Sequence, residues 1–324
     1  MQHEHLAQEL LRALRGERSQ VAWSRRLGYR SNIAYPWESG RRYPNASEAM
    51  RAIERSGRDV SEGLVTFYGA RPPWLDEVDP TSGDGIVRLL DDLRGSRTVT
   101  ELAASAGVNR HALGRWLSGR TQPRLPDFLR VLEAASVRLP DFLASFVDPL
   151  ALPSLAPVWE QIEARRQGAA EHPWTQALLR VVELEAYREH GEHDDAWVAQ
   201  RLGVAPEVVG EGFAYLERSG QAVREHGQFV GNTRAVDTRR SPEVGRKLKA
   251  HWTDVAAERI RGGSPGQFSY NVFNCSHADF ERIRELHLNY YSSMRQIIAA
   301  STPEEHVVVA NIQLFKVDPR PTDR

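Results

Sequence analysis

The segment 108–126 carries four arginines and no acidic residue: Arg110, Arg115, Arg120 and Arg124. An arginine guanidinium can donate two parallel hydrogen bonds to O6 and N7 of guanine, and it also pairs with phosphate oxygens. The net charge of the whole chain is −1, so only the local clustering of charge indicates a partner. The clustering predicts a surface that binds double-stranded DNA.

The predicted DNA contacts of this segment fall into two groups. Those expected at base edges are Asn109, Arg110, His111 and Arg115. Those expected at backbone phosphates are Arg120 and Arg124. Phosphate contacts position a protein on DNA and make its affinity depend on salt. The alternative interpretation is a solvated, arginine-rich face without a ligand.

The N-terminal half of the chain is a tandem repeat. A shift of 79 residues aligns identical residues without a gap over about sixty positions, among them Leu10/Leu89, Gly16/Gly95, Gly28/Gly107, Trp37/Trp116, Gly40/Gly119, Pro44/Pro123 and Phe67/Phe146. We predict one domain over 1–70 and a second over 86–147. A polar linker at 71–85 joins them, and another linker follows at 148–157.

Local signals in the second copy predict two short helices across a tight turn. Thr98 and Glu101 have the spacing of a capping box at a helix start, and Gly107 can end that helix in the left-handed conformation. Asn109 can then cap a second helix, whose inward face includes Leu113. The positions predicted to carry DNA contacts therefore lie on and after this second helix.

The segment TVTELAASAGVNRHALGRWLSGRTQP (98–123) resembles the lambda-repressor/Cro type of helix-turn-helix, T-Q-x-x-L-A-x-x-x-G-V-S-x-x-x-I-S-x-W-E-x-G-x-R-x-P. The segment SQVAWSRRLGYRSNIAYPWESGRRYP (19–44) is similar to the same motif. The resemblance implies that the second helix of each copy enters the major groove with its N-terminal residues at base edges. The shared tryptophans, Trp37 and Trp116, are expected to be buried.

The first copy offers its own set of candidate DNA contacts: Arg30, Ser31, Asn32, Tyr35, Arg41 and Arg42. However, Pro36 falls inside the predicted second helix. A proline there removes a backbone donor and clashes with the carbonyl four residues earlier, at a cost of about 3 kcal/mol. We therefore expect this helix to kink or end early, and we expect the second copy to be the better base reader.

Residues 158–237 predict helices followed by a short hairpin, in which Ala222–Arg224 and Gln228–Val230 flank a His226-Gly227 turn. This order resembles a winged helix. Glu207 and Glu211 lie on the exposed half of its would-be recognition helix and would be repelled by phosphates. A structural or dimer-forming role is therefore favoured for this region over DNA binding.

Residues 238–324 predict a small α+β domain for dimerisation or sensing. We expect a helix to Arg261, a strand over 268–273, a helix from Ser276 to about Ala300, and a strand over 307–317 that pairs with the first. From about 195 to 318 the chain is similar to a family of predicted bacterial regulators with a C-terminal domain of unknown function. The segment 311–315, NIQLF, matches the typical ending of that family, although Lys316 replaces its usual proline.

Other classes of function lack a signal in the sequence. There is no Walker-type loop, GxSxG elbow or HExxH motif, so no catalytic residue, cofactor or metal is predicted. The segment 190–195, HGEHDD, contains possible metal ligands, but a solvated loop that caps the next helix is the favoured interpretation. The single cysteine, Cys275, indicates a reducing compartment, and no apolar run is long enough for a membrane span.

The sequence thus predicts a mainly α fold with two helix-turn-helix domains, a winged-helix-like middle domain and a small α+β C-terminal domain. The expected function is that of a cytoplasmic, DNA-binding transcription regulator, a repressor, controlled by an unknown small-molecule or protein effector. A homodimer is expected because paired half-sites give such domains their specificity, but two copies in one chain could serve as their own pair. The competing interpretation is a module that docks a protein or an RNA.

Overall fold

The computed structural model describes residues 2–231 and 241–317. Within these ranges the chain is mainly helical, as predicted, and its strands form one two-stranded sheet. Its internal contacts divide the chain into an N-terminal unit, 1–163, and a C-terminal unit, 164–324. Across the described ranges no helix combines the length and the apolar character needed to cross a membrane.

The two copies of the repeat have the same order of helices. In the first copy these are α1 (His3–Arg15), α2 (Gln20–Arg26), α3 (Ala34–Glu38), α4 (Ala46–Arg55) and α5 (Val60–Tyr68). In the second copy they are α6 (Gly83–Arg94), α7 (Val99–Ala106), α8 (Arg110–Leu117), α9 (Leu125–Ser136) and α10 (Leu139–Ala144). A 3-10 helix, Pro73–Asp76, lies between the copies, and α11 (Ala156–Glu171) follows a second one, Pro149–Ala151.

The local signals of the second copy produce the predicted caps. Thr98 and Glu101 form a reciprocal capping box at the start of α7, and these hydrogen bonds lower the pKa of the Glu101 carboxyl. Gly107 ends α7 in the left-handed conformation, with φ +62°. The Asn109 side-chain oxygen accepts hydrogen bonds from the first turn of α8, and Leu113 is fully buried beneath it. The turn geometry therefore fixes where α8 begins.

In the first copy the effect of Pro36 differs from the prediction. Helix α3 neither kinks nor ends early, because it ends at Glu38, the equivalent of Leu117 at the end of α8. Instead α3 begins late, at Ala34, so Pro36 lies in its first turn. A first-turn residue needs no intrahelical N–H partner, and the expected clash does not arise. The lost turn leaves residues 30–32 in the preceding loop.

The two copies pack against each other through reciprocal contacts. The N–H of Ala46 donates to the carbonyl of Pro123 at 3.0 Å. The N–H of Leu125 donates to the carbonyl of Pro44 at 2.9 Å. Each bond is the image of the other under the shift of 79 residues. The two copies are therefore related by a pseudo-two-fold axis.

The helices follow the same pseudo-symmetry. Helix α1 packs on α9 and α4 packs on α6, while the equivalent helices α5 and α10 contact each other. The ring centroids of Phe67 and Phe142 lie 5.6 Å apart in an edge-on arrangement. At the equivalent place, the Phe146 ring rests against the backbone of Gly63. One continuous hydrophobic core runs through both copies.

The C-terminal unit contains six helices besides the end of α11 and one hairpin within the described ranges. They are α12 (Thr175–Val181), α13 (Glu185–Glu189), α14 (Asp195–Leu202), α15 (Pro206–Arg218), β1 (Ala222–Glu225), β2 (Gln228–Gly231), α16 (Pro242–Arg261) and α17 (His277–Ala300). Strands β1 and β2 pair antiparallel about the predicted His226-Gly227 turn, where both residues have positive φ. Val209, Phe213 and Leu216 form the buried face of α15, as predicted.

The predicted strands at 268–273 and 307–317 do not form, although both segments are described. Helices α16 and α17, which flank the first segment, form as expected. Residues 304–313 lie instead on other helices of the unit. The Glu304 carbonyl accepts from the N–H of Glu185 at 3.0 Å, and the Asn311 amide donates to Thr253 Oγ1 at 3.1 Å. These contacts to α13 and α16 hold the segment away from the predicted pairing.

Candidate nucleic-acid interface

Helix α8 and the loop that follows it bring four of the predicted DNA contacts to one concave surface. Its lining residues are Val99, Arg110, His111, Gly114, Arg115, Ser118 and Arg120. The predicted contacts among them are all exposed. Leu113 faces inward and is fully buried, so the opposite face of α8 is fixed to the core. The helix therefore presents Arg110, His111 and Arg115 to solvent. We call this surface the α8 face.

The arginines of the α8 face have no acidic partner among the described residues. No ion pair forms between an acid in 2–231 or 241–317 and Arg110, Arg115 or Arg120. Other arginines of the same copy are satisfied internally: Arg94 pairs with Asp91 at 2.6 Å, and Arg97 donates to the carbonyl of Ala134 at 2.8 Å. The arginines of the α8 face therefore lack acidic partners, whereas neighbouring arginines of the same copy have partners within the protein.

The position of the Arg110 cation at the start of α8 is unfavourable for the helix alone. Arg110 and His111 occupy its first turn, which contains no acidic residue. The N-terminus of a helix is its positive end, so a cation there costs about 0.3–1 kcal/mol instead of stabilising. The same arrangement concentrates positive potential on one spot and favours an anion such as phosphate. Helix α7 has the opposite arrangement, which stabilises the helix: an acidic residue, Glu101, lies in its first turn.

Two predicted contacts of the second copy have structural partners. Asn109 uses its side-chain oxygen as the cap of α8, accepting from the N–H of His111 at 2.9 Å. Arg124 lies at the junction of the two copies, where it forms an isolated bridge with Asn45, and its guanidinium donates to the carbonyl of Tyr43 at 3.2 Å. Arg124 remains exposed but does not line the α8 face.

The candidate contacts of the first copy do not form an equivalent row. Arg30, Ser31 and Asn32 are exposed but precede α3. The Asn32 side-chain oxygen accepts from the N–H of Tyr35 at 3.3 Å and lies 3.3 Å from Ser24 Oγ. Reading adenine requires both the oxygen and the nitrogen of an amide, and here the oxygen is occupied.

Exposed residues nevertheless surround α3. Tyr35 is 46% exposed, and the Arg41 guanidinium lies 5.1 Å from the centroid of its ring. Arg42 is exposed beside them. The two guanidinium groups suit contact with a sugar-phosphate backbone, which leaves the Tyr35 ring as the exposed group of α3 that can contact a base.

Sequence reasoning missed two residues that shape helices α3 and α8. Gly114 lies in the middle of α8, and a Cβ added there would meet nothing within 4 Å. Glu38 ends α3 with a carboxylate that is 5% exposed and accepts from Arg15 Nε at 2.6 Å and from Gln20 Nε2 at 2.9 Å. Two signals in the sequence could have identified these residues. They are a glycine in the middle of a predicted helix and a single acidic residue within an arginine-rich segment.

The loop at 190–195 is largely solvated, as predicted, with residues 190–192 and Asp194 exposed. Asp194 caps α14, as expected. The exception is the side chain of His193, which is only 5% exposed. Its ring nitrogens lie 2.9 Å from the Tyr187 hydroxyl and 2.8 Å from a carboxylate oxygen of Asp195. The histidine therefore joins α13 to the start of α14. Glu207, on α15, is exposed as predicted, and so is Glu211.

Comparison with known proteins gives one match. Residues 157–317, just under half of the chain, match the model of a family described as a domain of unknown function (DUF4423). The match begins well before residue 195, where the resemblance in the sequence was first apparent. No curated protein and no solved structure matches the chain.

Proposed function

We propose that the protein binds double-stranded DNA by sequence through its N-terminal unit and regulates transcription, as a repressor, without a catalytic step. The observation that carries the proposal is the α8 face, on which Arg110, Arg115 and Arg120 are exposed and lack acidic partners among the described residues. An uncompensated cationic surface on a rigid helix is the form that a DNA-reading element takes.

The dimensions and chemistry of α8 support duplex DNA as the ligand. Helix α8 is an α-helix of eight residues, and the diameter of an α-helix with its side chains, about 10–12 Å, fits the major groove, which is about 12 Å wide. Helix α7 and a three-residue turn, 107–109, precede α8, which is the order of a helix-turn-helix. In that arrangement Arg110, in the first turn, meets base edges and Arg120, beyond the helix, meets phosphates.

The proposal extends to the C-terminal unit, which has its own hydrophobic core. We assign to it the response to a small-molecule or protein effector. The sequence argument for a homodimer was the need for two half-sites. Because the N-terminal unit already pairs two copies within one chain, that argument no longer requires a second chain.

We expect Arg110→Ala and Arg120→Ala to weaken DNA binding in different ways. Loss of Arg110 should cost about 1–3 kcal/mol on the preferred duplex and relax the base preference at one position. Loss of Arg120 should weaken binding to all duplexes alike and reduce the salt slope by about one unit. Fluorescence anisotropy with selected and scrambled duplexes at several salt concentrations measures both effects. Unchanged binding by both variants would show that the α8 face is not the DNA contact.

The same titration separates the proposal from a module that docks a protein or an RNA. A DNA-binding protein loses affinity for random duplex DNA steeply as salt rises, because released counterions drive the binding. Indifference of the protein to both duplex DNA and salt would favour the docking module. Glu207→Gln serves as a control, since neutralising this exposed acid of α15 should leave specific binding unchanged.

We expect Gly114→Ala to stabilise the protein and weaken its DNA binding. A mid-helix glycine costs about 0.5–1 kcal/mol relative to alanine, and no atom of the chain would contact the new methyl group. On DNA, the same methyl group would obstruct the close approach of α8 to the groove. Thermal unfolding and anisotropy measure the two effects. A stabilised variant with undiminished affinity would contradict close approach at this residue.

A further inference from the structure

We infer that a single chain reads one asymmetric duplex site made of two unlike half-sites, one under α8 and one under α3. The inference rests on the proposed DNA binding and goes beyond it by specifying the class of duplex and the number of chains that bind it. Two independent observations carry it: the reciprocal packing of the two copies, and the different residues at their equivalent reading positions.

The packing of the copies has the form of an isologous dimer interface within one chain. In such an interface, if one residue contacts a second, their equivalents contact each other in return. The backbone bonds from Ala46 to Pro123 and from Leu125 to Pro44 meet this condition. The bridge between the equivalent residues Asn45 and Arg124 lies on the pseudo-two-fold axis. Helices α3 and α8 are therefore equivalent elements of two copies related by a pseudo-two-fold axis.

The pairing of the copies is built into the core. Phe142 is 1% exposed and Phe146 is 4% exposed, and both pack against α5 of the other copy. The Arg138 guanidinium, also buried, donates to the carbonyl of Phe67 at 2.8 Å. Separating the copies would expose these rings to water. The two reading helices therefore act together and not as independent domains on a linker.

The reading positions of the two copies differ where bases would be contacted. Under the shift of 79 residues, the reading positions and their equivalents are Arg110/Ser31, His111/Asn32, Gly114/Tyr35 and Arg115/Pro36. A guanidinium at a base edge selects guanine, whereas a serine or a tyrosine does not, and Ser31 precedes α3 while Arg110 lies in the first turn of α8. The copies cannot favour the same half-site, so a palindrome is not the best target.

The phosphate position is, by contrast, the same in both copies. Arg41 and Arg120 are equivalent and both are exposed. Phosphates carry no sequence information, so a contact that only positions the protein can stay the same while base contacts diverge. The two copies therefore share the phosphate contact and differ in the base contacts. This pattern is expected of one scaffold that carries two recognition helices with different base preferences.

The test uses the full chain. Duplexes selected from a random library are footprinted, and the mass of the complex on a selected duplex is measured by light scattering. We expect one chain for each protected site, and two half-sites of different sequence on the same face of the duplex. In competition with duplexes altered in one half, Arg110→Ala should lose about tenfold or more of its discrimination in the α8 half only. Tyr35→Ala should reduce binding through the other half only.

The outcomes separate this inference from the proposed function. A palindromic site filled by two chains, or protection of one half-site alone, overturns the inference while DNA binding stands. Loss of discrimination in both halves on Arg110→Ala also overturns it. Absence of duplex binding at any salt concentration overturns both the inference and the function. Arg110 and Tyr35 are exposed, and an unchanged melting temperature of each variant verifies that folding is intact.

Discussion

Replacing Arg15 with alanine is expected to destabilise the N-terminal unit by about 3 kcal/mol, because it leaves a buried carboxylate without its cation. The Glu38 side chain is 5% exposed, and its ion pair with Arg15 has a length of 2.6 Å. Gln20 continues to donate to this carboxylate, which keeps the loss at the lower end of the range for a broken buried pair. Urea unfolding followed by circular dichroism measures the change.

The repeat supplies a matched control for this substitution. Arg94 is the equivalent of Arg15 under the shift of 79 residues, but its partner Asp91 is 51% exposed. Exposed pairs contribute about 0–1 kcal/mol, so Arg94→Ala should have a small effect. A double-mutant cycle with Glu38→Gln should recover part of the loss caused by Arg15→Ala. Equal losses for the two arginine variants would exclude burial of Glu38 as the cause.

The second large effect is expected from Gly63→Ala, which places a methyl group in the interface between the copies. The added Cβ would lie 2.2 Å from Phe146 Cε1, far inside van der Waals contact. The Phe146 ring cannot retreat freely, because it packs edge-on against Phe142 with centroids 5.1 Å apart. Overpacking of this kind costs about 2–3 kcal/mol. This loss should outweigh the usual gain from replacing a helical glycine with alanine.

Two further variants make the result specific to the interface. Gly114→Ala, where space is open, should stabilise the protein, so opposite signs for the two glycines are expected. Phe146→Leu removes the clashing ring atoms and should restore part of the stability of Gly63→Ala. If Gly63→Ala instead stabilises the chain, the two copies do not pack through α5 and α10 as described, and the inference of a single two-part reading unit loses its physical basis.

Much of the candidate site was predictable, because its signals are local in sequence. Thr98, Gly107 and Asn109 act on backbone groups within a few residues, so their spacing alone predicted where α7 ends and α8 begins. The exposure of Arg110 and the burial of Leu113 followed from helical periodicity. The hairpin of β1 and β2 was equally accessible, since its turn lies between adjacent strands.

Predictions failed where the outcome depended on competition between alternatives. The sequence shows that Pro36 is incompatible with the interior of a helix, but it does not show how the chain avoids this. The chain starts α3 late, which costs less than a kink. The apolar pattern of 268–273 and 307–317 favours strands, but a strand needs a partner. Residues 304–313 instead find partners on α13 and α16.

By itself, the sequence determined the repeat, the mainly α content, the caps of the second copy and the arginines of the α8 face, since these follow from identity at a fixed spacing and from contacts within one turn of helix. Only the tertiary structure decided that α3 begins late, that the His193 side chain is covered and that the two copies pair about a pseudo-two-fold axis. The residues that meet at that axis, such as Pro44 and Leu125, are far apart in the chain. No pattern of spacing specifies such a meeting; it results from the joint packing of all the apolar faces into one core.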